Sequence, residues 1–144
     1  QLVLAGLKAD LESLVDTFKA AGAKRALVLD MSVASHCELL QSAVENLKPY
    51  LFEFLNDEFL DVVSNVSAEV YNTKDEAIEF LSSQLIAPVK YKQSIKAHDS
   101  KVDLYIEFGN GAVLKGLNKK SSEKPTLNVS DMKTLNETIE ALND

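Results

Sequence analysis

His36 and its neighbours are the part of this sequence best suited to acid–base chemistry. An apolar run from Val28 ends at Ser35, and a helical pattern follows His36. Ser35 and Glu38 have the spacing of a capping box, in which the serine side chain accepts from the amide of the glutamate. We therefore predict a strand that delivers His36 to the first turn of a helix, where its imidazole could exchange a proton near neutral pH. The spacing alone leaves a purely structural histidine open.

The other side chains that could react or bind metal are less suited to a site. Cys37 follows His36 directly, but consecutive helical residues point about 100° apart, so a Cys–His dyad is not expected. His98 stands beside Asp99 in a polar stretch, which predicts a solvated loop. The chain contains no Cys-x-x-Cys or His-x-x-x-His pair, so we expect neither a metal site nor a cofactor. It also lacks a Gly-x-Ser-x-Gly elbow, so it offers no obvious serine nucleophile.

The glycine-rich segment 109–116 resembles a nucleotide-binding loop only superficially. It follows a predicted strand and opens a predicted helix. Leu114 stands where a dinucleotide fingerprint needs glycine or alanine, and Gly116 is not followed by Lys-Ser or Lys-Thr. We therefore predict a tight strand-to-helix turn.

Composition excludes several classes of partner. The 144 residues are 46% hydrophobic and 26% charged, which is typical of one globular domain. The formal net charge of −7 and the lack of a long basic cluster argue against a nucleic acid partner. No apolar run approaches the roughly 20 residues that a membrane-spanning helix needs. With a single cysteine, the chain is expected in the reducing cytoplasm, without membrane attachment.

Alternating strands and helices predict an α/β fold. Strands are expected at 1–5, 25–33, 60–66, 101–108 and 126–129, and helices at 7–21, 35–54, 74–86, 89–97, 112–119 and 131–142. Thr73 and Glu76 form a second capping box at a helix start. Pro49 is expected to bend or split its helix near Glu45.

Pro88 is predicted to end the helix that contains Gln84. The residue before a proline disfavours helical conformation, so the break falls at Ala87. Gln84 then lies in the last turn, where main-chain carbonyls lose their helical partners.

Several motifs together resemble the bacterial malonyl-CoA:acyl carrier protein transacylases. They are QLVLAG at 1–6, GAKR at 22–25, MSVASHC at 31–37, QL with PV at 84–85 and 88–89, and EFGNGAVLKGL at 107–117. Each motif is short, but their joint order and spacing are specific. The resemblance covers almost the whole chain and only the C-terminal half of that family.

The resemblance implies a fold and a division into subdomains. Residues 1–34 are expected to form part of a small ferredoxin-like subdomain. Residues 35–144 are expected to form the C-terminal part of a large α/β acyltransferase subdomain whose core is similar to that of the α/β-hydrolases.

The resemblance also implies a function and its residues. The family moves malonyl from coenzyme A to a serine, and then to the phosphopantetheine thiol of acyl carrier protein, in fatty-acid synthesis. His36 matches the catalytic histidine, and Gln84 matches the residue whose main-chain carbonyl orients that histidine. Ser35 matches a small residue beside the acyl pocket.

The family's serine and its malonyl-binding arginine lie upstream of Gln1. We therefore expect malonyl-CoA, acyl carrier protein and a missing N-terminal half as partners, and no activity from this chain alone. The alternative is a non-catalytic binding module for acyl carrier protein or coenzyme A.

Overall fold

The computed structural model describes residues 2–143, which are mixed α and β. By their internal contacts they divide into two compact units, between Val89 and Lys90. The helices are α1 (Lys8–Ala20), α2 (Gln41–Phe54), α3 (Lys74–Ser83), α4 (Tyr91–His98), α5 (Val113–Asn118) and α6 (Met132–Asn143). The strands are β1 (Val62–Val63), β2 (Val70–Tyr71), β3 (Tyr105–Phe108) and β4 (Thr126–Val129). Within residues 2–143 no helix is long and apolar enough to cross a membrane. The subdomain boundary expected after residue 34 stays a prediction.

In the first unit, α2 packs against α3 beside the antiparallel β1–β2 hairpin. The buried side chains of Ala77 and Ile78 belong to α3. The buried ring of Tyr71 lies 6.2 Å from the ring of Phe59 and 5.3 Å from that of Phe80. Aromatic packing of this kind fixes the hairpin against the helix.

The capping box at the start of α3 is confirmed. The Thr73 hydroxyl oxygen accepts from the Glu76 amide at 3.4 Å and donates to the Glu76 carboxylate at 2.7 Å. Hydrogen bonding to the Thr73 side chain is the main reason that the pKa of Glu76 is lowered. Helix α3 therefore starts at a defined residue.

The second unit is built on a parallel pair of strands. Strands β3 and β4 pair from Tyr105 with Thr126 to Phe108 with Val129, and α5 forms the crossover between them. The buried side chain of Asn118 accepts from the Tyr91 hydroxyl at 2.7 Å and donates to the Thr126 hydroxyl at 3.1 Å. These bonds satisfy the amide in the core.

Two predicted strands are wrong. Residues 2–5 and 25–33 are extended or irregular and pair with no strand of the described part of the chain, while Gln1 lies outside the described residues. A strand is stable only beside hydrogen-bonded neighbours. The apolar side chains of these segments are exposed by half or more, and they are Leu2, Val3, Leu4, Leu29, Met31 and Val33.

Smaller differences concern element ends. The strand predicted at 60–66 contracts to β1, and β2 was not predicted. Of the bend or split predicted at Pro49, the split does not occur, because α2 runs uninterrupted from Gln41 to Phe54. Proline removes the hydrogen bond to the residue four positions earlier, and its ring crowds that carbonyl, but the remaining hydrogen bonds and packing against α3 hold the helix.

Candidate active site

His36 is held by main-chain carbonyls at the end of α3. Its ring atom Nδ1 lies 2.7 Å from the Gln84 carbonyl oxygen, which is the contact that the family resemblance implies. Its main-chain amide donates to the Leu85 carbonyl at 2.9 Å. Neighbouring peptide groups thus fix both the ring and the backbone of His36.

The capping box predicted at Ser35 is wrong. A 3₁₀ turn begins at Glu38, its N-cap is Cys37, and no side chain caps it. His36 precedes this turn with φ of +63°, in the left-handed region that non-glycine residues seldom occupy. Such backbone persists only where surrounding contacts determine it, and it is concentrated at functional sites. Here the Leu85 and Gln84 carbonyls supply those contacts.

Pro88 explains why the Gln84 carbonyl is available. In a continuing α-helix this carbonyl would accept from the amide of residue 88. The helical pattern reaches Ala87, whose amide donates to the Ser83 carbonyl at 3.0 Å. Because Pro88 has no N–H, the next hydrogen bond cannot form, and the Gln84 carbonyl accepts from His36 instead.

This contact sets the tautomer of the neutral ring. A carbonyl oxygen can only accept, so Nδ1 must carry the proton and Nε2 must hold the free lone pair. The His36 side chain is exposed, and Nε2 has no hydrogen-bond partner among residues 2–143. In the neutral ring Nε2 is therefore a free hydrogen-bond acceptor on an exposed side chain.

Cys37 and Ser35 flank the histidine without contacting its ring. The Cys37 thiol donates to the Ala34 carbonyl at 3.4 Å, so it forms no dyad with His36. The Ser35 amide donates to the Val33 carbonyl at 3.1 Å, and its side chain is half-buried. Ser35 thus lies immediately before His36 on an irregular segment.

Asn65 is a neighbour of the site that nothing in the sequence marks. Its side-chain amide donates to the Gln84 side-chain oxygen at 3.1 Å. Asn65 was predicted in the middle of a strand, where nothing distinguishes it from a surface residue. It lies instead in the loop between β1 and β2.

The remaining sequence candidates form no second site. The Glu107 carboxylate accepts from the amides of Leu114 and Lys115, each at 2.9 Å, so it occupies the donors that a phosphate would need. His98 is the half-buried last residue of α4, so the prediction of a solvated loop was wrong. In the described part of the chain no three His, Cys, Asp or Glu residues are grouped to hold a metal ion.

A further titratable cluster lies in the second unit. Burial, and then the hydrogen bond to Asp99, raise the pKa of Tyr105 to about 12. The pKa of Asp99 is lowered, first by the Ser122 hydroxyl and then by that of Tyr105. The Lys124 ammonium donates to the Val102 carbonyl nearby. This cluster ties the end of α4 to β3, and we assign it a structural role.

Two known proteins of the same name are similar in sequence to nearly the whole of this chain. No protein-family model matches the chain. The malonyl CoA-acyl carrier protein transacylase of Bacillus subtilis strain 168 is 38% identical over 147 residues, which cover 100% of this chain and 46% of that protein. The Haemophilus influenzae protein of the same name is 35% identical over 145 residues, covering 99% of this chain and 46% of the relative.

Solved structures agree with these sequences. The crystal structure of malonyl-CoA:acyl carrier protein transacylase from Helicobacter pylori superimposes with a TM-score of 0.93 at 45% identity, over 96% of this chain and 45% of that one. A malonyl-transacylase in complex with its type II PKS acyl-carrier protein gives a TM-score of 0.87 at 32% identity, over 94% and 45%. The chain spans about half the length of these proteins. Over nearly its whole length the chain is therefore similar to the malonyl-CoA:acyl carrier protein transacylases, and its coverage of them fits a C-terminal fragment.

Proposed function

We propose that this chain is the histidine-bearing half of an acyltransferase that moves malonyl from coenzyme A to acyl carrier protein in fatty-acid synthesis. The observation that carries the proposal is the 2.7 Å contact between His36 Nδ1 and the Gln84 carbonyl, which leaves Nε2 free as a general base. The named relatives and the transacylase–carrier protein complex support malonyl-CoA and acyl carrier protein as its partners.

His36 acts on both halves of the reaction. As the serine oxygen attacks the malonyl thioester carbonyl, Nε2 takes the serine proton; the carbon–sulfur bond then breaks, and the proton leaves with the coenzyme A thiol. In the second half Nε2 takes the proton of the phosphopantetheine thiol as its sulfur attacks the malonyl ester carbonyl. The ester carbon–oxygen bond then breaks, and the released serine oxygen takes the proton back from Nε2. Gln84 takes the orienting place of the aspartate in a Ser-His-Asp triad. Its neutral carbonyl fixes the tautomer and stabilises imidazolium less than a carboxylate does.

Ser35 is proposed to line the acyl pocket, since its half-buried side chain lies immediately before the histidine. A small side chain there leaves room for the malonyl group. Replacement by a larger residue should therefore alter acyl selectivity more than turnover.

The serine nucleophile and the arginine that binds the malonyl carboxylate are proposed to come from an N-terminal half. The relatives are about twice as long as this chain, and exposed apolar side chains such as Leu2 and Met31 require a cover. In this arrangement residues 1–34 complete a ferredoxin-like subdomain, and residues 35–144 complete a hydrolase-like core. The free thiol of Cys37 fits a cytoplasmic location.

The test joins the N-terminal half of the Helicobacter pylori relative to the start of this chain. We expect the fusion to transfer malonyl from malonyl-CoA to holo-acyl carrier protein, followed by the mass of the carrier protein. His36→Ala should lower kcat/KM by about 10² to 10⁴-fold. His98→Ala, which changes the other histidine, should change it little, and the 144-residue chain alone should show no turnover.

Two results would contradict this account. Turnover by the isolated chain would place a nucleophile within it. An inactive but folded fusion that still binds acyl carrier protein would favour the binding module.

A further inference from the structure

We propose that Asn65 is a positioning residue that acts on His36 through Gln84. The proposal rests on the function proposed above, and it assigns a role to the loop between β1 and β2. Gln84 is held at both ends: its side-chain oxygen accepts from Asn65 at 3.1 Å, and its main-chain oxygen contacts His36 Nδ1 at 2.7 Å. Two hydrogen bonds, connected through the covalent structure of Gln84, thus join the loop to the imidazole.

Ser64 makes the loop a firm support for Asn65. Its side chain is 2% exposed, and its hydroxyl oxygen accepts from the amides of Val66 at 3.1 Å and Ser67 at 3.2 Å. The Ser64 amide donates to the Glu69 carbonyl at 2.8 Å. With its neighbours fixed in this way, the Asn65 backbone has little freedom, so its side chain can hold a partner in place.

Gln84 needs such a support because it follows the last residue of α3. Its own amide still donates to the Phe80 carbonyl at 3.0 Å, but beyond it the helical hydrogen bonds end at Pro88. A rotation of the peptide groups after Gln84 would move the carbonyls of both Gln84 and Leu85. These two carbonyls hold the ring and the amide of His36. Any displacement of these carbonyls therefore also displaces the imidazole that is proposed as the general base.

The roles of the two Gln84 oxygens can be separated by substitution. Gln84→Ala keeps the main-chain carbonyl that contacts His36 and removes only the side-chain oxygen that Asn65 holds. Asn65→Ala removes the other end of the same bond. If the bond is the source of the effect, each variant loses the same interaction, and the double variant should be no worse than either single one.

The experiment uses the complete enzyme, with the N-terminal half joined as above. We expect Asn65→Ala and Gln84→Ala each to lower kcat by about 2- to 13-fold, the range of one solvent-accessible hydrogen bond, with KM for malonyl-CoA unchanged. The 15N shifts of the His36 ring should show a smaller share of the Nδ1–H tautomer in both. Asn72→Ala is the matched control, since it removes another exposed 3.1 Å hydrogen bond that an asparagine side-chain amide donates, here to the Asp61 carboxylate, in the same unit.

Several outcomes would overturn the proposal. One is additive losses in the double variant, which would mean that the residues act separately. Another is a loss of kcat with the tautomer unchanged, which would mean that Asn65 acts on substrate. A third is an equal loss in Asn72→Ala. The tautomer is read without turnover, so a failure of the proposed function, seen as full activity in His36→Ala, is distinguishable from a failure here.

Discussion

Replacing Pro88 with alanine tests how Gln84 comes to hold His36. The helical hydrogen bonds extend to the Ala87 amide, which donates to the Ser83 carbonyl at 3.0 Å. An alanine at position 88 restores the next N–H in line, and its helical acceptor is the Gln84 carbonyl. That carbonyl is the one that His36 Nδ1 contacts at 2.7 Å, so the new amide competes with the imidazole.

The magnitude follows from the two competing bonds. The bond that is gained and the bond that is weakened are each worth about 0.5–1.5 kcal/mol. Alanine is also about 3 kcal/mol more favourable than proline inside a helix. The intrinsic helix propensity of the new residue therefore favours extending the helix through position 88. We therefore expect the share of the Nδ1–H tautomer of His36, relative to Nε2–H, to fall by about 2- to 13-fold.

The assay is 15N NMR of the histidine rings in the joined enzyme, with kcat measured on the same samples. Pro125→Ala serves as the matched control, because Pro125 contributes only its carbonyl, to the Tyr105 amide at 2.9 Å, and alanine keeps that group. Both substitutions add similar freedom to the unfolded chain. An unchanged tautomer ratio and unchanged kcat in Pro88→Ala would refute the argument that proline frees this carbonyl.

Two further predictions concern the local structure of the two units. Thr73→Ala should lower the free energy of unfolding by about 0.5–2 kcal/mol in denaturant titrations and should return the pKa of Glu76 towards its ordinary value, whereas an unchanged Glu76 titration by NMR would contradict the capping box. Tyr105 should be the last tyrosine to ionise in an ultraviolet pH titration, and because its pKa rises from 10.0 to about 12 on folding, the stability it contributes is complete below pH 10 and lost as the pH rises through about 12. Tyr105→Phe should abolish that alkaline loss and raise the pKa of Asp99, and an alkaline transition that survives the substitution would assign it to another group.

Local signals predicted the elements that carry their own hydrogen bonds and caps. Strand β4 has the predicted bounds, and α1 and α6 lie within about two residues of theirs. The Thr73 box was predictable because its partners stand three residues apart. The strands expected at 1–5 and 25–33 were not, because a strand depends on neighbours that the sequence of the segment does not encode.

The site was predictable only in part, for a similar reason. The His36–Gln84 contact followed from the family resemblance, together with the missing N–H of Pro88. The predicted serine cap does not form, because His36 has a left-handed backbone conformation. The Leu85 carbonyl, which is distant in sequence, stabilises this conformation by accepting from the His36 amide. Asn65 carried no signal at all, since its role depends on a tertiary contact with the Gln84 side chain.

The most direct test of the proposed role of His36 is its tautomer in the joined enzyme, without substitutions and without substrate. The ring 15N shifts at a pH where the imidazole is neutral report which nitrogen carries the proton. We expect Nδ1 to carry it, held by the Gln84 carbonyl, and Nε2 to have the free lone pair. A ring protonated mainly at Nε2 would contradict the proposal, because the nitrogen proposed to accept the proton would then already hold one.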